Sequence, residues 1–76
     1  MYAVVSPVHT KAHGYAFDVW TPESGLRPGF PYPRVQDAHY ARRVEIRRYA
    51  GQAAAHVCNT IDEFDSKIAA AVTACA

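Results

Sequence analysis

The sequence TIDEFDSKIAAAVTACA, residues 60–76, decides the fold because it is typical of a helix with one buried face. On a helical projection, the apolar residues of this segment fall on one stripe about 100° wide. They are Ile61, Phe64, Ile68, Ala71, Val72 and Cys75. Thr60 and Glu63 form a capping box, and Asp62 and Asp65 place negative charge at the positive end of the helix dipole. The remaining chain is expected to supply the apolar surface on which this helix lies.

The composition predicts one small folded domain, residues 1–76, with charge separated along the chain. Hydrophobic residues make up 50% and charged residues 20%, which is ordinary for a globular protein. The formal net charge of +1 indicates no special partner. Residues 34–48, however, hold five arginines against two acids, and residues 59–76 hold three acids against one lysine. We therefore expect a polarised surface, which favours binding by charge.

The chain carries no signal for membrane insertion or secretion. No apolar run approaches the roughly 20 residues needed to span a bilayer, and the N-terminus lacks a basic segment followed by an apolar one. Cys58 and Cys75 flank the predicted helix roughly 20 Å or more apart, so we expect free thiols rather than a disulfide. A cytoplasmic protein encoded by a complete small reading frame is expected. Fourteen alanines, and six arginines against two lysines, fit a GC-rich bacterial genome or its phage.

Two segments in the first part of the chain read as strands. Tyr2–Val8 alternates between two apolar faces, and Gly14–Trp20 alternates more clearly, with Tyr15 and Phe17 on one face. The two are expected to form an antiparallel hairpin. Residues 21–34 hold four prolines and two glycines, which predicts an irregular loop of the length that is often functional.

The second part of the chain is harder to assign. Val35–Arg42 is expected to form a turn or two of helix. In Arg43–Tyr49, Val44 and Ile46 would point about 200° apart on a helix but share a face on a strand, which favours a strand. Residues 53–58 are expected to return as the neighbouring strand after a turn at residues 50–52.

These assignments predict an α+β fold. It consists of a small antiparallel sheet of three or four strands with one C-terminal helix packed on one face. The other sheet face is expected to remain exposed and to carry arginines and aromatic residues, including Trp20.

The candidate binding residues lie on this exposed face and in the proline-rich loop. Arg43, Arg47 and Tyr49 would share the outer side of the predicted strand. The loop adds Arg27, Phe30, Tyr32 and Arg34. Arginine and tyrosine are enriched in protein interfaces, and the same residue types hold phosphates and stack bases. A solvated outer face and a loop that closes one end of the core are the alternatives.

The sequence gives little support for a metal site, a cofactor or catalysis. His9 and His13 are four residues apart and His56 and Cys58 are two apart, but no recognisable pair of ligand pairs is present. Neither cysteine is spaced with a histidine in a way that indicates a triad, and a domain of this size has little room for a water-excluding pocket. We therefore expect a non-enzymatic protein without cofactor or metal.

In size and layout the chain resembles the small inhibitors carried by phages and mobile elements, including anti-CRISPR proteins. The resemblance rests on a short frame, GC-rich composition, one α+β domain and a polarised surface, and it assigns no residue roles. It implies a protein that covers a nucleic-acid-binding surface of a larger host protein or ribonucleoprotein complex. The alternative is a nucleic-acid-binding regulator or antitoxin-type module that uses the arginine-rich strand.

Overall fold

The centre of the sheet is the apolar run at the start of the chain. The computed structural model describes residues 2–50 and 54–75. Within the first strand, β1 (Tyr2–Val5), Ala3, Val4 and Val5 are all 0% exposed. A strand covered on both faces is expected to be apolar without a break, which explains why this run carries no polar residue.

Six strands and two helices are formed by the described residues, and they confirm the α+β class. After β1 the elements are β2 (His9–Lys11), β3 (Gly14–Ala16), β4 (Val19–Thr21), β5 (Gly25–Arg27), α1 (Val35–Ala50), β6 (Ala54–Val57) and α2 (Ile61–Cys75). The main sheet has the order β5-β4-β1-β6, and β2 and β3 form a separate hairpin. β1 pairs antiparallel with β4, as expected, but the β2–β3 hairpin lies between them in the chain, so the two do not form the predicted hairpin. β1 pairs parallel with β6. The sheet is therefore mixed, whereas an antiparallel sheet was predicted.

The C-terminal helix is confirmed. The Thr60 hydroxyl oxygen accepts a hydrogen bond from the Glu63 amide at 3.1 Å, which is the predicted cap. Phe64 is 5% exposed and packs in a buried cluster with Val4, Trp20 and Cys58. Ile68 and Ala71 lie against the same cluster. The ends of the stripe contribute less than predicted, since Ile61 is 43% and Val72 53% exposed.

Residues 43–49 form the second half of a helix, and the strand predicted there is wrong. α1 spans Val35–Ala50, so the short helix expected from residue 35 continues through the predicted strand. Val44 and Ile46 do point apart, as a helix requires: Ile46 packs against the sheet and Val44 is 40% exposed. The alternation was misleading because one of its two apolar residues lies on the surface. Gly51 and Gln52 of the predicted turn lie outside the described residues.

The helical spacing in α1 is carried mostly by small and charged residues, with Ile46 and Tyr49 as its large inward side chains. Its fully or partly buried residues recur every three or four positions, and they are Ala38, Ala41, Arg42, Glu45, Ile46 and Tyr49. The Arg34 carbonyl accepts the amides of Asp37 and Ala38, which fixes the first turn. Asp37 near the start and Arg47 near the end complement the helix dipole.

The two helices cover opposite faces of the sheet, so the expectation of an exposed sheet face is wrong. Ala3 and Val5 belong to the cluster beneath α1, and Val4 belongs to the cluster beneath α2. Side chains alternate between the two faces of a strand, which places the helices on either side of β1. Trp20, expected on the exposed face, is 8% exposed and packs beneath α2.

The strand predicted at Gly14–Trp20 is divided in two at Asp18. β3 pairs with β2, whereas β4 joins the main sheet. Asp18 makes the corner, because its amide donates to the Ser6 hydroxyl at 2.7 Å and its carbonyl accepts the Ser6 amide at 2.9 Å. The proline-rich loop is also shorter than predicted, since Gly25–Arg27 forms β5 on the edge beside β4.

The rest of the loop is held against the body of the protein by its backbone. Tyr15 and Tyr32 exchange amide-to-carbonyl hydrogen bonds at 2.8 Å in both directions. A Cβ atom at Gly29 would collide with the carbonyl oxygen of Phe17, and one at Gly14 with the carbonyl oxygen of Tyr32. Glycine at these two positions lets the chain segments approach this closely.

Candidate functional site

Arg43 and Arg47 lie one turn apart on the outer side of α1, and both are exposed. Among the described residues neither arginine forms an ion pair. The prediction that these two residues share a solvent-facing surface is confirmed, although a helix presents them and not a strand. Unpaired guanidinium groups at this spacing are available to a partner that carries carboxylates or phosphates.

Two further residues of the same surface were missed by the sequence interpretation. Tyr40 is 66% exposed and Val44 is 40% exposed. Their positions at i, i+4 place them on the side of α1 that carries Arg43 and Arg47. The helical spacing of 40, 43, 44 and 47 is the signal that would have found them. We call these four residues the outer α1 surface.

Tyr49 and Arg27 are joined in a different place. Tyr49 is partly buried against the cluster beneath α1, so its predicted position beside Arg43 and Arg47 is wrong. Arg27 donates to Glu45 at 3.0 Å and to the Tyr49 hydroxyl at 3.2 Å. Both residues therefore fasten β5 to α1, and Arg27 is engaged in an internal ion pair even though its side chain is 59% exposed.

The three remaining loop candidates have different roles. Phe30 is 73% exposed and meets Tyr32 edge to face, with the ring centroids 5.7 Å apart. Tyr32 packs against the buried cluster, so it anchors the loop and supports Phe30. Arg34 is exposed, and its carbonyl caps α1. Phe30 and Arg34 are thus free to contact a partner, whereas Tyr32 serves the fold.

A shallow cavity of about 170 Å³ lies between the loop and α1. Phe17, Val19 and Tyr32 contribute apolar lining, and Arg27 and Arg48 lie at its polar side. Arg48 is 72% exposed and makes only a long contact of 3.9 Å with Glu45. The cavity can take one side chain of a partner and is too small for a nucleotide or a cofactor.

The predicted separation of charge is present in three dimensions. The outer α1 surface carries arginines, whereas the exposed residues of α2 include Asp62 and Asp65. The two helices lie on opposite faces of the sheet. One side of the molecule is therefore basic and the opposite side acidic, which orients the protein in the field of a charged partner.

Arg42 belongs to the same arginine-rich segment but points inward. Its guanidinium donates to the carbonyl of Ser6 at 2.8 Å and to that of Cys58 at 3.0 Å. These carbonyls directly follow β1 and β6, so Arg42 closes the carboxyl ends of the two parallel strands. Burial lowers the pKa of Arg42, and arginine nevertheless stays charged because its ordinary pKa is so high.

The densest group of titratable side chains surrounds Asp18. Lys11 Nζ and the Gly29 amide both donate to Oδ1, at 3.1 and 2.9 Å, and His9 Nε2 lies 3.2 Å from Oδ2. Burial raises the pKa of Asp18, but the Gly29 amide, Lys11 and His9 together outweigh burial and hold the pKa below its usual range. Both carboxylate oxygens have internal partners, so Asp18 ties β2 and the loop to the corner of the sheet.

The described residues offer no metal site and no reactive thiol. Among them, no group of three or more histidine, cysteine or acidic side chains is arranged to hold a metal ion. Cys58 is free and 0% exposed, and its thiol points to the His56 carbonyl at 3.8 Å. Burial, with a further effect from Glu63, raises the pKa of Cys58 and keeps the thiol protonated. The side chain of Cys75 lies outside the described part of the chain.

Neither described helix is long and apolar enough to cross a membrane. The chain matches no protein-family model, no curated protein and no solved structure.

Proposed function

We propose that this protein is a small inhibitor that binds a larger protein or ribonucleoprotein complex of a bacterial host through the outer α1 surface. The observation that carries the proposal is the pair Arg43 and Arg47, which are exposed and unpaired among the described residues beside exposed Tyr40 and Val44. Tyrosine and arginine are enriched where protein interfaces form, and the exposed valine beside them adds apolar contact area.

The internal roles of Arg27 and Arg42 support this choice of surface. Arg42 bonds two carbonyls and Arg27 pairs with Glu45, so both are already used by the fold. Arg43 and Arg47 are therefore better placed than Arg27 and Arg42 to carry the energy of a partner contact. Phe30 and Arg34, which lie in and just after the loop, are additional candidate contacts. The target would offer carboxylates or a phosphate-bearing surface beside an apolar patch.

The proposed action is to occupy a nucleic-acid-binding surface of the complex, as in anti-CRISPR proteins encoded by phages. A surface rimmed by carboxylates at a DNA-binding site would attract the basic side of the chain, and the acidic side around Asp62 and Asp65 would then face outward and repel nucleic acid. The chain would act in the bacterial cytoplasm and would perform no chemistry.

Direct binding of nucleic acid is the second candidate, and the helical presentation of Arg43 and Arg47 favours it. A helix with a basic outer side can lie against the phosphate backbone. The small net charge of +1 and the acidic α2 weigh against it. The two candidates differ in salt dependence, because phosphate-driven binding weakens steeply as counterions are restored.

Affinity capture from a bacterial lysate, run with and without prior nuclease treatment, tests the proposal. The wild-type chain is immobilised beside two matched double variants, Arg43→Glu with Arg47→Glu and Asp62→Lys with Asp65→Lys. We expect a host protein that is retained by the wild type and the α2 variant, is lost from the α1 variant, and resists moderate salt. Loss of the captured material on nuclease treatment would favour the nucleic-acid candidate, and equal capture by all three chains would contradict both.

A further inference from the structure

The two edges of the main sheet differ in how they are protected. The β5 edge has three residues, begins at Gly25 with φ +70°, and ends at Arg27, whose side chain is fastened to α1. Pro28 follows it directly. The β6 edge has four residues, Ala54–Val57, with no Asp, Glu, Lys or Arg and no proline. Short strands, charged residues and proline are the usual devices against edge-to-edge pairing, and β6 has only its modest length.

The outward backbone groups of β6 can be assigned from its pairing. The Cys58 amide donates to the Val5 carbonyl at 2.9 Å, so the backbone of residue 58 points toward β1. Backbone direction alternates along a strand, and residue 56 therefore also points toward β1. The amides and carbonyls of Ala55 and Val57 point away from the sheet, where no described strand pairs with them.

We propose that β6 is a self-association site, at which two copies of this chain pair antiparallel and join their sheets. With Ala55 of one copy opposite Val57 of the other, every outward amide and carbonyl of these two residues meets its complement. This pairing has twofold symmetry, so the same short segment serves both copies, as expected of a closed dimer. No side-chain chemistry of a partner is required, because the pairing is made by the backbone amides and carbonyls of residues 55 and 57.

The side chain of Val57 supports a second copy as the occupant. It is 40% exposed although it belongs to a strand whose partner residue, Val5, is fully buried. In the paired sheet the strand of the other copy would lie beside the exposed Val57 side chain and cover part of it. The outer α1 surface is not used, so self-association and the proposed partner binding succeed or fail separately.

Light scattering after size exclusion tests the pairing on the full chain from micromolar to millimolar concentration. We expect the mass to rise with concentration from the chain mass of 8.4 kDa to twice that value. Val57→Pro removes one outward donor without removing a bond to β1, and it should weaken dimerisation about tenfold or more. Val57→Ala keeps the amide and should weaken it less. A chain that stays monomeric throughout overturns the proposal, as does a Val57→Pro chain that dimerises like the wild type.

Amide hydrogen exchange tests the pairing on the wild-type chain alone, so the result does not depend on whether a variant folds. We expect the amides of Ala55 and Val57 to become more protected as concentration rises. The amide of Leu26, on the opposite edge strand, is the internal control and should not change. Exchange at residues 55 and 57 that is independent of concentration would overturn the pairing.

Discussion

The helices α1 and α2 cover opposite faces of one sheet by different means. α2 rests on Phe64, Ile68 and Ala71, an apolar contact of the ordinary kind. α1 lies on alanines, Ile46 and Tyr49. Two of its other inward residues, Arg42 and Glu45, are charged and hydrogen-bonded. Burial of apolar surface therefore holds α2, whereas α1 depends more on specific polar contacts. α1, the helix with the weaker apolar stripe, is therefore the one whose outer side can present a functional surface.

The largest effect is expected where apolar burial is concentrated. Phe64→Ala should lower the free energy of unfolding by about 3–5 kcal/mol, because it removes a buried aromatic side chain and leaves a cavity. Val72→Ala, at a position that is 53% exposed on the same helix, is the control and should change little. Urea unfolding followed by circular dichroism measures both. Similar stability of the two variants would contradict the packing described for α2.

The second-largest loss of stability is expected where polar contacts hold α1 against the sheet. Arg42→Met keeps much of the aliphatic contact but leaves the carbonyls of Ser6 and Cys58 without their donor, which should cost about 1–3 kcal/mol. Arg43→Met alters an exposed neighbour and should stay within about 0.5 kcal/mol of the wild type. Equal losses in urea unfolding would mean that Arg42 contributes only its bulk.

Asp18 offers a pH-dependent test of the polar contacts at the corner of the sheet. Its folded-state pKa lies below the ordinary value of 3.8, so the folded protein binds fewer protons than the unfolded chain near that pH. The stability that the carboxylate contributes is thus present above the ordinary pKa and is lost as the pH falls through the lower folded value. Asp18→Asn should cost about 1–2 kcal/mol at neutral pH.

The stability contributed by the charge of Asp18 can be measured by comparing wild type with Asp18→Asn, from neutral pH to pH values below the folded-state pKa of Asp18. The difference between wild type and Asp18→Asn should shrink as the pH falls, in thermal unfolding at each pH. A constant difference would show that hydrogen-bond geometry and not the charge of Asp18 is responsible.

The smallest effect concerns the ion pair that joins β5 to α1. Arg27→Met should cost about 0.2–1 kcal/mol, because the pair is exposed on the arginine side and screened by solvent. The loss should diminish in high salt, while that of Phe64→Ala should not. If Arg27→Met lost more unfolding free energy than Arg42→Met, the order expected from the burial of the two side chains would be wrong.

The two helices also show what the sequence could and could not predict. α2 was recognised because its cap and large apolar residues, such as Phe64 and Ile68, give a strong helical period. The continuation of α1 is not evident from the sequence because its inward face carries Ala38, Ala41 and charged Arg42, and the apolar pair Val44 and Ile46 fits a strand. Sequence composition could not show that Val44 is a surface residue, which follows from the sheet beneath the helix.

The candidate site could be predicted only in part, because some residues have the same exposure on a strand and on a helix and others do not. Arg43 and Arg47 are exposed on either a strand or a helix, so the wrong secondary structure still gave the right exposure. Tyr49 was misplaced because strand and helix put residue 49 on different sides relative to residue 47. The internal use of Arg27 depends on its approach to Glu45, a contact between positions far apart in the chain that no local pattern reveals.

The central claim is that α1 binds a partner while α2 holds the fold, and paired charge reversal tests it most directly. The protein captured by the wild-type chain is purified, and its affinity for each double variant is measured by calorimetry at two salt concentrations. We expect Arg43→Glu with Arg47→Glu to weaken binding about tenfold or more at unchanged unfolding midpoint. Asp62→Lys with Asp65→Lys should bind as the wild type does. Unchanged affinity for the α1 variant together with lost affinity for the α2 variant would contradict the account and place the site on the acidic side.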